Sequence, residues 1–191
     1  MVNKFENPEK KKYEDIRADI RTGDIFFASG NYPISRIIRH FSKSMFSHVG
    51  FTFVWNSRVL LLESVEDDGV RATPLSQYVK DYENSGKPYD GRLFLGRYDG
   101  TLDTEKVNVM LGLAADKLNK KYDKDEIAKI LARVTIGVGK HGENDAYICS
   151  ELVDICFKEI GINFPRDERG FIFPEHIASD ANVFPLFEII A

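Results

Sequence analysis

The stretch from Ser47 to Val65 reads SHVGFTFVWNSRVLLLESV. Two runs rich in β-branched and aromatic residues flank the polar pair Asn56-Ser57. Such runs, separated by a short polar segment, are typical of two strands joined by a tight turn. The pattern therefore predicts a β-hairpin, and the rest of the chain is interpreted outward from it.

The length of the turn fixes which residues of the hairpin face each other. With a two-residue loop, Trp55 faces Arg58 and Gly50 faces Glu63. Alternate side chains of a strand share one face of the sheet, so His48 lies on the same face as Glu63 and diagonally across from it. The register therefore predicts that these two side chains are neighbours.

His48 and Glu63 form a candidate base and its orienting acid. Gly50 has no side chain and leaves open space above the sheet, and a carboxylate within Leu60-Leu61-Leu62-Glu63 interrupts an apolar strand and needs a partner. A carboxylate bonded to one imidazole nitrogen fixes the tautomer and stabilises the imidazolium. The alternative is that His48 is a satisfied sheet histidine and Glu63 a polar edge residue.

The chain has two cysteines, Cys149 and Cys156, within an apolar pattern of helical period. A seven-residue spacing on a helix places their Cα atoms about 10 Å apart, too far for a disulfide, so we expect two free thiols. Cys149 begins the predicted helix, and a helix N-terminus stabilises a thiolate. It is the candidate nucleophile; the alternative is a small buried hydrophobic residue, which we expect Cys156 to be.

The other three histidines are weaker candidates for a base. We expect His40, in a helix of mixed polarity, His141, in a loop, and His176, after Phe173-Pro174-Glu175, to be surface or capping residues. No two Cys or His residues have the short spacing of a zinc site, and no phosphate-binding or dinucleotide motif occurs. The sequence predicts no metal and no cofactor.

Outside the hairpin, the chain alternates between short helical and extended patterns. Residues 1–21 are predicted to be a charged helical lead, and the Phe- and Pro-rich tail after the cysteine helix to be irregular packed chain. The other predicted strands are Ile25–Ala28, Gly69–Arg71 and Arg92–Tyr98. The other predicted helices are Ile34–Phe41 after Pro33, Pro74–Tyr82 with Thr73 as cap, Thr104–Asn119 and Asp125–Val134, followed by a loop over Gly137–Asp145.

Length and composition exclude several classes of protein. A chain of 191 residues with 43% apolar and 29% charged residues is typical of one globular domain, not of a disordered or fibrous protein. The net charge of −4 supplies no field for phosphate backbones, so nucleic acid is not an expected partner. No apolar run is long enough for a membrane span or a secretory signal. We expect a cytoplasmic protein or the mature fragment of an exported one.

The ordered motifs of the chain resemble those of a known family. They are Gly23-Asp24-Ile25, then Ser47-His48-Val49-Gly50, Glu63, Tyr122-Asp123 and Tyr147-Ile148-Cys149-Ser150-Glu151-Leu152-Val153. This set resembles the permuted NlpC-like papain-fold proteins of the YiiX and YaeF kind, with lecithin:retinol acyltransferase as a more distant relative. In that family the histidine strand precedes the cysteine helix, the reverse of papain, because the chain is circularly permuted.

The resemblance implies an α+β permuted papain-like fold, with an antiparallel sheet or small barrel packed against helices. A single such domain would span residues 22–191. It also implies that Cys149 is the nucleophile, His48 the general base and Glu63 the residue that orients it. Substrate contacts are expected from Tyr122, in the wall of the site, and from Gly50 and Ser47.

The implied function is that of a cysteine amidase or peptidase that acts through a thioester. Its substrate would be an amino-acid amide, a small peptide or another acyl compound, including a cell-wall peptide. One alternative is a lipid acyltransferase or hydrolase of the same fold, which the absence of a membrane anchor disfavours. The other is a module that binds amino acids or peptides without turnover.

Overall fold

The fold is described by a computed structural model over residues 3–122 and 147–190. These residues form seven strands, six α-helices and two short 3-10 turns, at Asn3–Phe5 and Tyr82–Asn84. The strands are β1 (Lys10–Lys12), β2 (Ile25–Gly30), β3 (His48–Trp55), β4 (Arg58–Val65), β5 (Gly69–Pro74), β6 (Gly91–Tyr98) and β7 (Val183–Ile190). The helices are α1 (Tyr13–Ile16), α2 (Pro33–Ser42), α3 (Leu75–Lys80), α4 (Thr104–Asp116), α5 (Cys149–Glu159) and α6 (Pro174–Ser179).

All seven strands belong to one sheet in the order β1-β7-β6-β2-β3-β4-β5. Neighbouring strands are antiparallel except β1 and β7, which run parallel. The sequence prediction of an α+β fold with an antiparallel sheet is therefore confirmed.

The hairpin that the sequence predicts forms with the predicted register. Trp55 pairs with Arg58, Thr52 with Leu61, and Phe51 with Leu62. Because register decides which face each side chain occupies, this pairing directs His48 and Glu63 to the same face of the sheet.

Helices cover both faces of the sheet, so the central strand β2 is buried along its whole length. Successive residues of β2 point to opposite faces. Phe27 packs in a core with residues of α4, α5 and α6, whereas Phe26 packs in a second core with residues of α1 and α3. The sheet is thus the middle layer between two separate apolar clusters.

The N-terminal lead differs from the predicted helix. Lys10–Lys12 form the edge strand β1 beside β7, and only Tyr13–Ile16 is α-helical. Lysines are common on edge strands because they discourage pairing with another chain. Since the partner strand lies at the other end of the chain, the local sequence pattern does not reveal this pairing.

The tail also differs from the prediction of irregular chain, because Val183–Ile190 forms the full strand β7. Proline is unfavourable within a strand because it has no backbone N–H to donate to a neighbouring strand, yet Pro185 lies within β7. The structure accommodates Pro185 at a shift of register, where it faces Gly96 while Leu95 faces Phe187. A bulge is one of the positions where a strand tolerates proline.

Two further predictions concern helices. Helix α3 begins at Leu75, one residue later than expected. Thr73, the expected cap, is the penultimate residue of β5, and its hydroxyl donates to Gln77 Oε1 over 2.6 Å. The predicted helix over Asp125–Val134 and the predicted loop over Gly137–Asp145 lie outside the described residues. Within residues 3–122 and 147–190, no helix has the length and apolar character needed to cross a bilayer.

Gly50 is tightly packed between β3 and β4, and we predict that Gly50→Ala destabilises the protein. An added Cβ would lie 2.8 Å from the carbonyl oxygen of Leu62 and 3.2 Å from the Cβ of Glu63. The free energy of unfolding should fall by about 1–3 kcal/mol, the usual cost of overpacking, as measured by urea denaturation. The matched control is Gly112→Ala in α4, where a Cβ meets nothing within 4 Å and should be neutral or stabilising.

Candidate active site

The site lies at the start of β3, where residues from the clusters on both faces of the sheet come together. His48 is the first residue of β3, and its side chain keeps 15% of its exposure. Cys149 is the first residue of α5 and belongs to the cluster on one face, whereas Tyr78 of α3 belongs to the cluster on the other face. The start of β3 is where groups from both faces reach the same imidazole.

The imidazole of His48 joins Cys149 to Glu63. Its Nε2 is 2.7 Å from Glu63 Oε2, and the side chain of Cys149 lies beside the ring. Because Nε2 is directed at the carboxylate, the nitrogen left for the sulfur is Nδ1. The structure therefore brings together the three residues that the sequence singled out as nucleophile, base and orienting acid.

Glu63 is fully buried, and both of its oxygens accept hydrogen bonds. Tyr78 Oη donates to Oε2 over 2.7 Å, the same oxygen that faces His48, and Arg71 Nε donates to Oε1 over 2.9 Å. Arg71 also forms an ion pair with Asp68 on the β4–β5 turn. A buried carboxylate is tolerated only with such partners.

The charges of this network determine its protonation. Burial alone would lower the pKa of His48, but its hydrogen bonds to Cys149 and Glu63 and the charges of those groups outweigh burial and raise the pKa to about 10. Burial would raise the pKa of Glu63, but His48, Arg71 and Tyr78 together hold it below its usual range. The favoured state at neutral pH is therefore an imidazolium against a carboxylate.

Cys149 occupies the N-terminus of α5, where it meets the cleft although only 5% of its surface is exposed. The backbone N–H of the preceding Ile148 donates to Glu151 Oε2 over 3.0 Å, which fixes the entry of the chain into the helix. Cys156 lies two turns further along with no exposed surface, and burial raises its pKa to about 12. Both cysteines are free thiols, as the sequence predicts.

A cleft of about 640 Å³ opens in front of Cys149 and His48. Tyr122 lines it, as expected of a residue in the wall of the site, and so does Ser47. The hydroxyl of Ser47 accepts from Gly30 N–H over 3.0 Å and donates to Ala28 O over 3.3 Å. Ser47 thus ties β2 to the start of β3. The expectation of open space above Gly50 is wrong, because Leu61, Leu62 and Glu63 pack against it.

Arg71 and Tyr78 were missed by the sequence analysis. Arg71 of β5 pairs directly with Glu63 of β4. The short acidic turn between these strands is a signal from which this pairing could have been predicted. Tyr78 reaches Glu63 only because α3 packs against the sheet, and no local pattern signals that contact. Among the other histidines, His176 is a capping residue, with Nδ1 accepting from Phe173 N–H over 3.2 Å, and His40 is exposed, whereas His141 lies outside the described residues.

A cysteine at a helix start, beside an imidazole that a third polar group holds in position, is the arrangement of papain-like cysteine hydrolases. A sequence model of the permuted papain-like amidase enzymes, the YaeF/YiiX family C92, matches residues 19–173. The chain belongs to this family. The resemblance seen in the ordered motifs is thereby confirmed.

The chain is also similar to a solved structure, described as the metalloprotein YiiX from Escherichia coli O157:H7. The TM-score is 0.68 at 18% sequence identity, covering 90% of this chain and 99% of the other. At that identity the similarity supports the fold alone. In the part of this chain that the structure describes, no three His, Cys, Asp or Glu side chains form a metal-binding group. No curated protein matches the chain.

Removing the charge of Glu63 should destabilise the protein strongly. We expect Glu63→Gln to lower the free energy of unfolding by about 3 kcal/mol at pH 7, because it leaves Arg71 and His48 facing a neutral group inside the protein. The difference should shrink as the pH falls below about 4.5, since the lowered pKa of Glu63 gives stability that protonation removes. Chemical denaturation at several pH values measures both effects.

The exposed Glu168→Gln serves as the control for charge removal and should change stability by no more than about 0.5 kcal/mol. Equal effects of the two substitutions would contradict the role given to the buried network.

We predict that His48 remains protonated well above its usual range. Its imidazole should hold both protons at pH 8 and lose one near pH 10, because Cys149 and Glu63 raise its pKa. Imidazole ¹⁵N chemical shifts followed against pH measure this titration. Cys149→Ala removes two of the causes and should bring the midpoint down, whereas Cys156→Ala should leave it unchanged; a wild-type midpoint near 6.5 would refute the assignment.

Proposed function

We propose that this protein is a cysteine-dependent amidase that cleaves an amide bond of an amino-acyl or peptide substrate through a thioester on Cys149. The observation that carries the proposal is the position of His48 at the wall of an open cleft, with Glu63 Oε2 2.7 Å from its Nε2 and Cys149 beside its ring. A nucleophile, a base and a group that orients the base are the minimum set for acyl transfer by covalent catalysis.

In the first half of the reaction, the sulfur of Cys149 attacks the carbonyl carbon of the substrate while His48 already holds the proton as an imidazolium. The tetrahedral intermediate collapses as the C–N bond breaks, and the His48 proton passes to the departing nitrogen. The products of this step are a free amine and an acyl thioester. Glu63 remains ionised and holds the imidazolium in position.

The start of α5 supplies donors for the oxyanion of that intermediate. The first N–H groups of an α-helix have no acceptor within the helix, and Cys149 is the first residue of α5. Their partial positive charge stabilises both a thiolate and a developing oxyanion. The Cys149 N–H is therefore assigned to the oxyanion hole.

In the second half, water replaces the amine. His48 accepts a proton from the water as the water oxygen attacks the thioester, and the C–S bond breaks to release a carboxylic acid and restore the starting state, with the proton on His48. The cleft has the volume of a site for a small ligand, which suits an amino-acid amide or a short peptide such as a cell-wall fragment.

Selective alkylation tests this proposal without knowledge of the substrate. Iodoacetamide should modify Cys149 rapidly at pH 6–7, because the imidazolium and the helix N-terminus stabilise the reactive thiolate. The His48→Ala variant should lose about 10²-fold or more of this rate at the same pH. Intact-mass spectrometry with peptide mapping measures the rate at each thiol.

Cys156 is the internal control, since it should label slowly in every folded variant. Two outcomes would reject the proposal: equal labelling of the two cysteines in the native protein, or a Cys149 rate that does not depend on His48. Either result would favour a binding module without turnover.

A further inference from the structure

Three tyrosines form one side of the cleft beside the His48–Glu63 pair. We call Tyr32, Tyr82 and Tyr89 the tyrosine wall. Their ring centroids lie 4.9 Å apart for Tyr82 and Tyr89, 5.3 Å for Tyr32 and Tyr89, and 5.9 Å for Tyr32 and Tyr82. Tyr82 and Tyr89 also contact Tyr78, with ring centroids 4.9 Å and 5.4 Å from that of Tyr78. These contacts connect the wall to the phenol that donates to Glu63.

The wall is uncharged. Burial raises the pKa of Tyr89 to about 12 and also raises that of Tyr82, so both remain phenols at any physiological pH. The neighbouring lining groups from α2 are Ser35 and Ile38, one a neutral hydroxyl and the other aliphatic. This side of the cleft therefore presents aromatic and aliphatic carbon with a few neutral hydroxyl groups.

The three rings pack against one another and do not surround a central space. An ammonium group bound by several aromatic residues sits between their rings, within about 6 Å of each centroid. Here the rings touch one another through tilted and edge contacts, which leaves no space between them. They make a continuous surface, and such a surface suits a flat or branched apolar group.

The charges around the cleft disfavour an anionic group. Glu66, Asp67 and Asp68 line it from the β4–β5 turn, and Glu83, next to Tyr82 in the chain, lines it as well. Arg71 also lines the cleft, but its guanidinium is engaged by Glu63 and Asp68. The charged lining residues that the structure describes, other than His48 and Arg71, are acidic, so a substrate carboxylate in the cleft would meet acidic neighbours.

We propose that the tyrosine wall is a substrate-binding subsite that takes an uncharged aromatic or branched aliphatic group next to the amide bond to be cleaved. The inference rests on the proposed function, because it treats Cys149 and His48 as the reacting groups. It adds the class of substrate: amides of phenylalanine-like or leucine-like residues, in preference to those of acidic residues.

Protection of Cys149 from iodoacetamide tests the subsite. The probes are N-acetyl-phenylalaninamide, N-acetyl-leucinamide and the α-amide of N-acetyl-glutamate, present during a short alkylation at pH 7. The phenylalanine probe should halve the labelling rate at a concentration about tenfold lower than the glutamate probe, since one ring gains aromatic contacts and avoids acidic neighbours. The leucine probe should lie between them.

Substitutions then assign the preference to the wall. Tyr82→Ala should weaken protection by the phenylalanine probe about fivefold and leave the glutamate probe unchanged, whereas Tyr82→Phe should retain protection. Trp55→Ala is the control, because Trp55 is an exposed aromatic residue at the far end of β3 and should have no effect. Ile38→Lys, which adds a cation beside the wall, should improve protection by the glutamate probe.

The two proposals fail in different ways. If the glutamate probe protects as well as the phenylalanine probe, or if Tyr82→Ala changes nothing, the subsite is wrong while His48-dependent labelling stands. If labelling of Cys149 does not depend on His48, the amidase proposal fails, and the subsite is tested directly by titrating the phenylalanine probe into Cys149→Ala and following the tyrosine ring signals by NMR. Absence of shifts at Tyr82 would then overturn the subsite.

Discussion

A carboxylate without solvent contact organises the centre of this protein. Glu63 has no exposed surface, and it accepts hydrogen bonds from the imidazole of His48, the phenol of Tyr78 and the guanidinium of Arg71. A charge placed there without partners would cost several kcal/mol. Three elements therefore have to dock before the carboxylate is stable: β3, β5 and α3. The geometry of the imidazole follows from the same requirement.

The sheet explains why the reacting groups meet where they do. Side chains along the middle of a strand point to one face or the other, so a helix on one face cannot reach a residue directed to the opposite face. This limit does not apply to His48 and Cys149, because they are the first residues of β3 and α5. The two ends meet beyond the edge of the packed layers, which also leaves room for a cleft.

Local sequence was sufficient for the features that depend on local pairing. The Asn56-Ser57 turn sets the register of β3 and β4, and the register sets Glu63 diagonal to His48. The strand character of Lys10–Lys12 and the contact of Tyr78 with Glu63 depend instead on elements distant in sequence or on helix docking. Pro185 shows a third case, in which a rule against strand structure is overridden by a bulge opposite Gly96.

The protonation of His48 bears on the kind of bond that the site is suited to break. Because Cys149 and Glu63 raise the pKa of His48, the imidazole carries its second proton at neutral pH before any substrate arrives. An amide is hard to cleave chiefly because its nitrogen must be protonated before it can leave, whereas an ester oxygen departs more readily. An imidazolium already in place beside the sulfur supplies that proton without waiting for solvent. In the proposed mechanism, Glu63 contributes by holding this acid in position beside the sulfur, and the family to which the chain belongs is one of amidases.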